Sequence, residues 1–461
     1  MQMWRNAFVV AFVTLLQIVP AVGQQLDPTT DQVESALRRA AEYFRATVST
    51  RGGYLWVYSE DLSHREGEVE ATATQIWVQP PGTPSVGFTY LKAYGATGDA
   101  FYLDCAKAAS DALVWGQLES GGWDYKIDFG AVQSGRWYYR RDQGNLTDKE
   151  SAHRHNISTF DDNTTQSALR FLIAVDKACR DTRYVDTVNS GLNLLLRSQF
   201  ENGAWPQRYP LNKSNYSRYY TFNDNAINDC IEVMFDAYHA YGDERYLESA
   251  KRGGDFIIAS QLPAPQSGWA QQYSWDMQPA PARWFEPAAC NGLVTSRNIA
   301  TLISLYERTG EGKYLEPIPA AIDWLDRSKM GDGTWARFYE LETNRPVYVN
   351  MDREVVYEFV NIRPGYGWKG NFGIPSVIAE YRKLKEMGRE RYRAANRRTP
   401  SAEANSRKMA AMRARVVEII NSLDDSGRWV ESGQIRCSTF NSNVAVLCAY
   451  IEIAEALGEK E

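Results

Sequence analysis

The chain has 461 residues, 44% of them hydrophobic, and a formal net charge of −6. That is ample material for a large core. The acidic balance excludes general nucleic-acid binding, so any polyanionic ligand must meet a local cationic cleft or a bound metal.

The first residues read as a secretory signal. Arg5 is the lone charge, Ala7 to Val22 is mostly apolar, and Ala21-Val22-Gly23 supplies a small-residue cleavage site. Residues 1–23 are therefore expected to be removed, leaving 24–461 as one domain in a secreted or periplasmic protein. No other apolar run is long enough to span a bilayer, so no membrane contact is expected after cleavage. The six cysteines form no CxxC or His/Cys cluster, which argues against zinc.

Along the chain a Gly-x-aromatic turn recurs six times, carrying Trp56, Trp123, Trp205, Trp269, Trp335 and Trp429. Each turn sits between amphipathic stretches with helical spacing. In order these are 31–47, 86–94, 100–117, 164–177, 183–199, 225–241, 244–261, 297–309, 312–328, 375–387, 406–423 and 440–457. The links are nearly literal copies: Gly98-Asp99-Ala100-Phe101-Tyr102-Leu103 beside Gly242-Asp243-Glu244-Arg245-Tyr246-Leu247. In each, glycine ends one helix, aspartate caps the next, and Tyr-Leu begins a buried stripe. Gln117, Gln199 and Gln261 close successive repeats. One helix pair cannot bury its apolar face alone, so stacked pairs must close on each other. Six hairpins with six Gly-Trp turns predict an all-α fold, an α/α toroid; an open α-solenoid is the alternative. The basic, polar stretch from Gly388 to Lys408 reads as an exposed linker or frayed hairpin.

If helices alternate between inner and outer rings, the inner ones follow the Gly-Trp turns, and their N-termini gather at one mouth of the central cleft. Asp161, Asp162 and Asp224 fall there, beside Asn163, Asn223 and Asn225. Aspartate is a favoured helix cap, which is the plain reading of each alone. Oxygen ligands together, without cysteine or histidine, suit a hard cation such as Ca²⁺. Arg297 reads as lying in a first helical turn, behind a cap at Ser296, where the helix dipole disfavours a cation. It is a candidate for holding an anion or taking a proton. Arg208, Arg218, Arg283 and Arg363 lie in rim loops and can clamp carboxylates. Among the loop aromatics, those of the Gly-Trp turns read as staples, whereas Tyr209, Tyr273, Trp284, Tyr366 and Trp368 can stack on sugar faces.

In sequence order, Phe160-Asp161-Asp162-Asn163-Thr164-Thr165, Trp205-Pro206-Gln207-Arg208-Tyr209-Pro210, Thr221-Phe222-Asn223-Asp224, Trp269-Ala270-Gln271-Gln272-Tyr273, Pro281-Ala282-Arg283, Ser296-Arg297 and Arg363-Pro364-Gly365-Tyr366-Gly367-Trp368 form one set. Together they resemble the family-ten polysaccharide lyases, the pectic acid lyase family, over roughly 159–372. The resemblance implies an α/α toroid and calcium-dependent β-elimination of polygalacturonate with an arginine base. By it, Asp224 with Asp162 is expected to bind Ca²⁺. Asp161 and Asp162 are expected to be catalytic, Arg297 to be the base, and Arg363 to clamp a substrate carboxylate. The remaining substrate contacts are expected from Arg208, Tyr209, Asn223, Tyr273, Arg283, Tyr366 and Trp368. The expected partner is an acidic polysaccharide or oligouronate, met by a monomer. The alternatives are a glycoside hydrolase on the same toroid and a non-catalytic uronate-binding protein.

Overall fold

A computed structural model describes residues 27–179, 181–211 and 215–458; the expected leader, 1–23, lies outside them. All twelve expected helices are present. They are α1 (Thr30–Tyr43), α2 (Thr83–Thr97), α3 (Ala100–Trp115), α4 (Thr164–Cys179), α5 (Thr182–Ser198) and α6 (Ala226–Tyr241), then α7 (Glu244–Ala259), α8 (Gly292–Thr309), α9 (Ile318–Arg327), α10 (Ile374–Met387), α11 (Ala402–Ser422) and α12 (Cys437–Leu457). The even-numbered helices pack on one another in succession, α2 on α4, α4 on α6, α6 on α8 and α8 on α10, and α12 returns to pack on α2. The odd-numbered ones lie outside: α3 on α2, α5 on α4, α7 on α6, α9 on α8, and both α1 and α11 on α12. The result is the α/α toroid. Its two ends are zipped by antiparallel pairing of Val57–Ser59 with Gln434–Arg436.

The links work as their sequence implies. Gly98 and Gly242 end helices in the left-handed region (φ 70° and 71°), and Asp99 and Asp243 accept the N–H of Phe101 and Arg245, each at 2.9 Å. The turn tryptophans repeat one contact. The indole N–H of Trp123, Trp205, Trp269, Trp335 and Trp429 donates to a carbonyl near the end of the preceding outer helix: Leu113, Leu195, Ile257, Leu325 and Ile419. Those carbonyls lie in the last turns of their helices, and the indole adds to a local donor that each already has, such as the Gly116 N–H at Leu113 or the Ser260 hydroxyl at Ile257. The closing glutamines tie outer helices to each other. Gln117 donates to the carbonyls of Gly121 and Thr187, Gln199 to Gly203 and Ser249, and Gln261 to Ser267 and Pro317. Gly203 is irreplaceable in this arrangement: φ is +92°, and a Cβ would meet the Arg252 carbonyl oxygen at 2.0 Å.

Two expectations change. Trp56 is only half-buried and donates instead to Gln79. The π-helical turn Phe44–Val48 closing α1 shifts the register there, and Tyr54 takes the buried place. The stretch read as a linker after Gly388 holds a short helix, Arg389–Arg397. Arg389 donates to the carbonyls of Tyr306, Glu307 and Arg308, capping the C-terminus of α8. Its charge has a structural use that composition does not reveal.

The indole contact predicts a measurable cost. Trp205→Phe keeps a ring but removes one of three donors from the Leu195 carbonyl, which still accepts from the Gln199 N–H and the Ser198 hydroxyl, so stability is expected to fall by about 0.5–1.5 kcal/mol. Urea unfolding would measure this. Trp284→Phe, at an exposed ring, is expected to stay within about 0.5 kcal/mol of the parent.

Candidate active site

Two segments of nearly identical sequence build the mouth: Thr159-Phe160-Asp161-Asp162-Asn163 before α4 and Thr221-Phe222-Asn223-Asp224-Asn225 before α6. Each begins in a two-residue strand. Ser158–Thr159 pairs with Arg208–Tyr209, and Tyr220–Thr221 pairs with Gln272–Tyr273. Each phenylalanine is buried, and each threonine hydroxyl accepts the N–H two residues on, at 3.2 and 3.0 Å. The chain then turns left-handed for two residues, at Asp162-Asn163 (φ 50° and 56°) and at Asp224-Asn225 (φ 44° and 63°). Such backbone costs roughly 1–2 kcal/mol per residue unless the side chain offsets it, and Asp and Asn tolerate it best. None of these aspartates caps its helix; the side-chain cap bond is absent at both turns. The plain reading of these residues as caps is therefore set aside. The turns instead aim carboxylates into the cleft.

Asp161, Asp162 and Asp224 each present an oxygen, and the three lie within 4.8 Å of one another. Asp161 is buried and accepts from the Tyr125 hydroxyl at 2.8 Å. Burial, and then the Asp224 charge, raises its pKa. Burial followed by Asp161 and Asp224 pushes Asp162 up to about 7. Four more buried oxygens on the same turns have no hydrogen-bond partner: one on Asp161 and one each on Asn163, Asn223 and Asn225. Repelling carboxylates among unpaired oxygen acceptors, with no nitrogen or sulfur donor, fit a hard cation of the Ca²⁺ class.

Arg297 faces this cluster from the neighbouring inner helix. Its position differs from expectation. The N-cap of α8 is Asn291, whose side chain accepts the N–H of Val294 at 3.0 Å, so Ser296 is no cap and Arg297 sits in the second turn. The helix dipole therefore is not what perturbs it. Burial lowers its pKa most; Asp224 and Asp229 pull it back and Arg337 pushes it further down. Its side chain makes no ion pair or hydrogen bond with any described residue. The adjacent Asn298 is held by Asn228, whose amide also donates to Thr301, at 2.9 and 2.8 Å, so α8 is pinned against α6 at this level. Burial pushes Asp229, beneath, up to about 7 against the pull of Arg170 and Arg297.

The other candidates divide. Arg208 reaches the Tyr125 hydroxyl at 3.4 Å and shares its electrostatic field with Asp161. Tyr209, next along the strand, points to the opposite face, beside Arg197, and away from the cluster. Asn223 is buried and donates to Asp224 at 2.7 Å. Arg283 is held by buried Glu286 at 2.8 and 2.6 Å, and the Tyr366 hydroxyl donates to the same carboxylate. Arg363 is partly exposed, with its guanidinium 3.9 Å from the Phe285 ring. Tyr273 and Trp368, expected at the substrate, are buried; the Tyr273 hydroxyl accepts the Ala270 N–H and the Trp368 indole donates to Arg363 O. They support the loops and offer no open ring face.

Sequence reading missed Tyr125, Gln207 and Arg337. A signal was present: each lies two residues after a turn tryptophan, Trp123, Trp205 or Trp335, and Gln271 holds the same place after Trp269. Tyr125 hydrogen-bonds Asp161, and the Gln207 side chain works against burial to hold its pKa down. Arg337 is buried with an unpaired Nε, its guanidinium 4.3 Å from the Tyr366 ring.

The family model described as pectic acid lyase matches residues 117–334 and 327–377, more than half of the chain. No protein of curated function matches. Among solved structures, a family 10 polysaccharide lyase from Cellvibrio cellulosa is 24% identical, covering 64% of this chain and 95% of its own, with a TM-score of 0.49. An aspartate-to-alanine variant of a family 10 lyase from the same organism, in complex with trigalaturonic acid, is 23% identical over 65% and 98%, also at 0.49. A family 76 glycoside hydrolase from Bacteroides thetaiotaomicron is 12% identical over 93% and 99%, at 0.48.

The carboxylate cluster predicts a pH dependence. Folded, Asp162 titrates near 7; unfolded, a carboxylate of its kind titrates near about 4. Between those values the folded state binds more protons, so the stability of cation-free protein falls as pH rises. Thermal midpoints in chelator, stepped from acid to neutral pH, are expected to show this decline. Asp162→Asn is expected to flatten it, and an unchanged slope would refute the assignment.

Proposed function

The chain belongs to the pectic acid lyase family and is a carbon–oxygen lyase acting on polysaccharide, and within that chemistry we propose that it cleaves polygalacturonate by β-elimination, with Ca²⁺ in the acidic cluster and Arg297 as base. The observation that carries this is that three carboxylate oxygens lie within 4.8 Å of one another, in the electrostatic field of a half-buried arginine whose side chain forms no ion pair or hydrogen bond with any described residue. Asp162 and Asp224 would hold the cation, with Asp161 beside them fixed by Tyr125. Bound there, Ca²⁺ would supply the charge that neutralises a uronate carboxylate and acidifies the proton on C5.

The chain's own residues supply the remaining steps. Arg297, neutral in a fraction raised by burial and by Arg337, takes the C5 proton. The released electron pair forms the C4–C5 double bond, the C4–O bond breaks, and the leaving oxygen takes a proton from solvent. Arg208 and Arg363 hold uronate carboxylates, and Glu286 fixes Arg283 and Tyr366 at the rim. A hydrolase reading is less well supported. Two carboxylates suffice for hydrolysis, whereas this site gathers a third and surrounds them with unpaired amide oxygens, a set that fits a hard cation better than an acid and base pair.

The same proposal takes residues 1–23 as an export leader and 24–461 as one domain acting as a monomer outside the cell or in the periplasm. No helix of the described residues is long and apolar enough to cross a membrane.

Activity is read as ultraviolet-absorbing unsaturated product on a panel of uronans. Polygalacturonate is expected to react, chelator to abolish the reaction and Ca²⁺ to restore it, with the rate rising toward alkaline pH. Arg297→Ala and Arg297→Lys are each expected to lose about 10²–10⁴-fold in turnover. Near-parental turnover in either would remove Arg297 as the base, and saturated products would favour the hydrolase.

A further inference from the structure

A row of guanidinium groups and rings runs outward from Arg337, whose charge acts on Arg297. Arg337 lies 4.3 Å from the Tyr366 ring, Arg363 lies 3.9 Å from Phe285 and 5.9 Å from Trp284, and Arg353 lies 5.2 Å from Trp284. The rings adjoin edge to face, Tyr366 to Phe285 at 5.0 Å and Phe285 to Trp284 at 5.2 Å. Exposure grows along the row. Arg337 is buried, Trp284 is 48% exposed, and Arg353 is exposed. Among the described residues neither Arg353 nor Arg363 has a carboxylate partner; the Arg363 guanidinium bonds only the Pro364 carbonyl.

The outer end is built rigidly. A four-stranded sheet runs from Cys290–Asn291, which starts α8, through Phe338–Tyr339 and Pro346–Val349 to Val355–Val356. Arg353 sits in the turn between the last two strands, where the Asn350 side chain accepts the N–H of both Asp352 and Glu354 at 2.9 Å. Arg363 is tied to the same strand, donating its N–H to Val349 O at 3.1 Å. One sheet therefore carries the start of the helix bearing Arg297 at one edge and the turn bearing Arg353 at the other.

We propose that Trp284 and Arg353, outward of Arg363, form an outlying subsite for a further acidic sugar unit of the same substrate chain whose bond is cut beside Arg297. The inference rests on the uronan-lyase reading. A polyuronate carries one carboxylate per unit, so a row of unpaired guanidinium groups matches its charge repeat, and each fork can take a carboxylate bidentately. The exposed Trp284 ring offers an apolar face to the sugar between them. A neutral polysaccharide would gain the ring contact and leave the arginines unused.

The test compares trigalacturonate with hexagalacturonate for the parent, Arg353→Ala, Trp284→Ala and Arg353→Lys. In Arg353→Ala, kcat/KM on the hexamer relative to the trimer is expected to fall about tenfold, through KM, for loss of one charge-assisted contact. Trp284→Ala should act in the same direction, and Arg353→Lys should recover part of the ratio, since a point charge replaces the fork. A ratio within twofold of the parent's in both alanine variants overturns the proposal. An equal loss on both substrates also overturns it, since that would place the residues at the cleavage site. Arg353 is exposed, so the melting temperature should not change. If the parent gives no unsaturated product from any uronan, the lyase reading fails separately, and calorimetric binding of the two oligomers decides the subsite. It stands if the parent prefers the hexamer and Arg353→Ala abolishes that preference; it falls if the preference is absent or survives.

Discussion

Repulsion among three carboxylates, concentrated where burial has already made charge costly, is the constraint that shapes this molecule. Asp161, Asp162 and Asp224 come within 4.8 Å of one another only because two turns hold a left-handed backbone against its own preference. Each turn is held in turn by a short strand pair, a threonine hydroxyl and a buried phenylalanine. Arg297, the cation that could relieve the repulsion, makes no bond to the cluster. The bonds from Asn228 to Asn298 and Thr301 fix the level of the helix that carries it against α6. Such a balance leaves the acids available to a hard cation and the arginine available to substrate.

The toroid suits this task because it repeats. Every inner helix begins at the same mouth, so equivalent positions in different repeats become neighbours in space. Asp162 and Asp224 are such a pair, as are Asp161 and Asn223. The residue two after the turn tryptophan is another series: Tyr125, Gln207, Gln271 and Arg337 occupy one structural place and differ in chemistry. The indole and glutamine contacts keep the scaffold constant beneath them. Function arises from changing side chains at fixed addresses around the ring.

The cationic row beyond Arg337 extends this logic outward. Inside the ring, charge is perturbed by burial and mutual repulsion. Toward the Arg353 turn the groups are solvated, and their effect is attraction along a chain of like-charged units. The four-stranded sheet makes these two regimes one rigid body, since its first strand opens α8 and its last flanks the Arg353 turn.

The helices, their links and their closure were legible in the sequence, because glycine stops, aspartate caps and apolar spacing are local properties of the chain. Gly98-Asp99 and Gly242-Asp243 behave as their residues dictate wherever they are placed. The acids and Arg297 could be singled out as well, since charges at the starts of buried helices are unusual. What Arg297 experiences could not be read. Asn291 moved the start of α8 and the position of the arginine within it, and the lowered pKa comes from burial and from Arg337, forty residues along the chain. Likewise nothing local separates Tyr273 and Trp368, which the fold buries, from Trp284, which it leaves open. Burial and field sum over neighbours distant in sequence, so they exist only once the ring has closed.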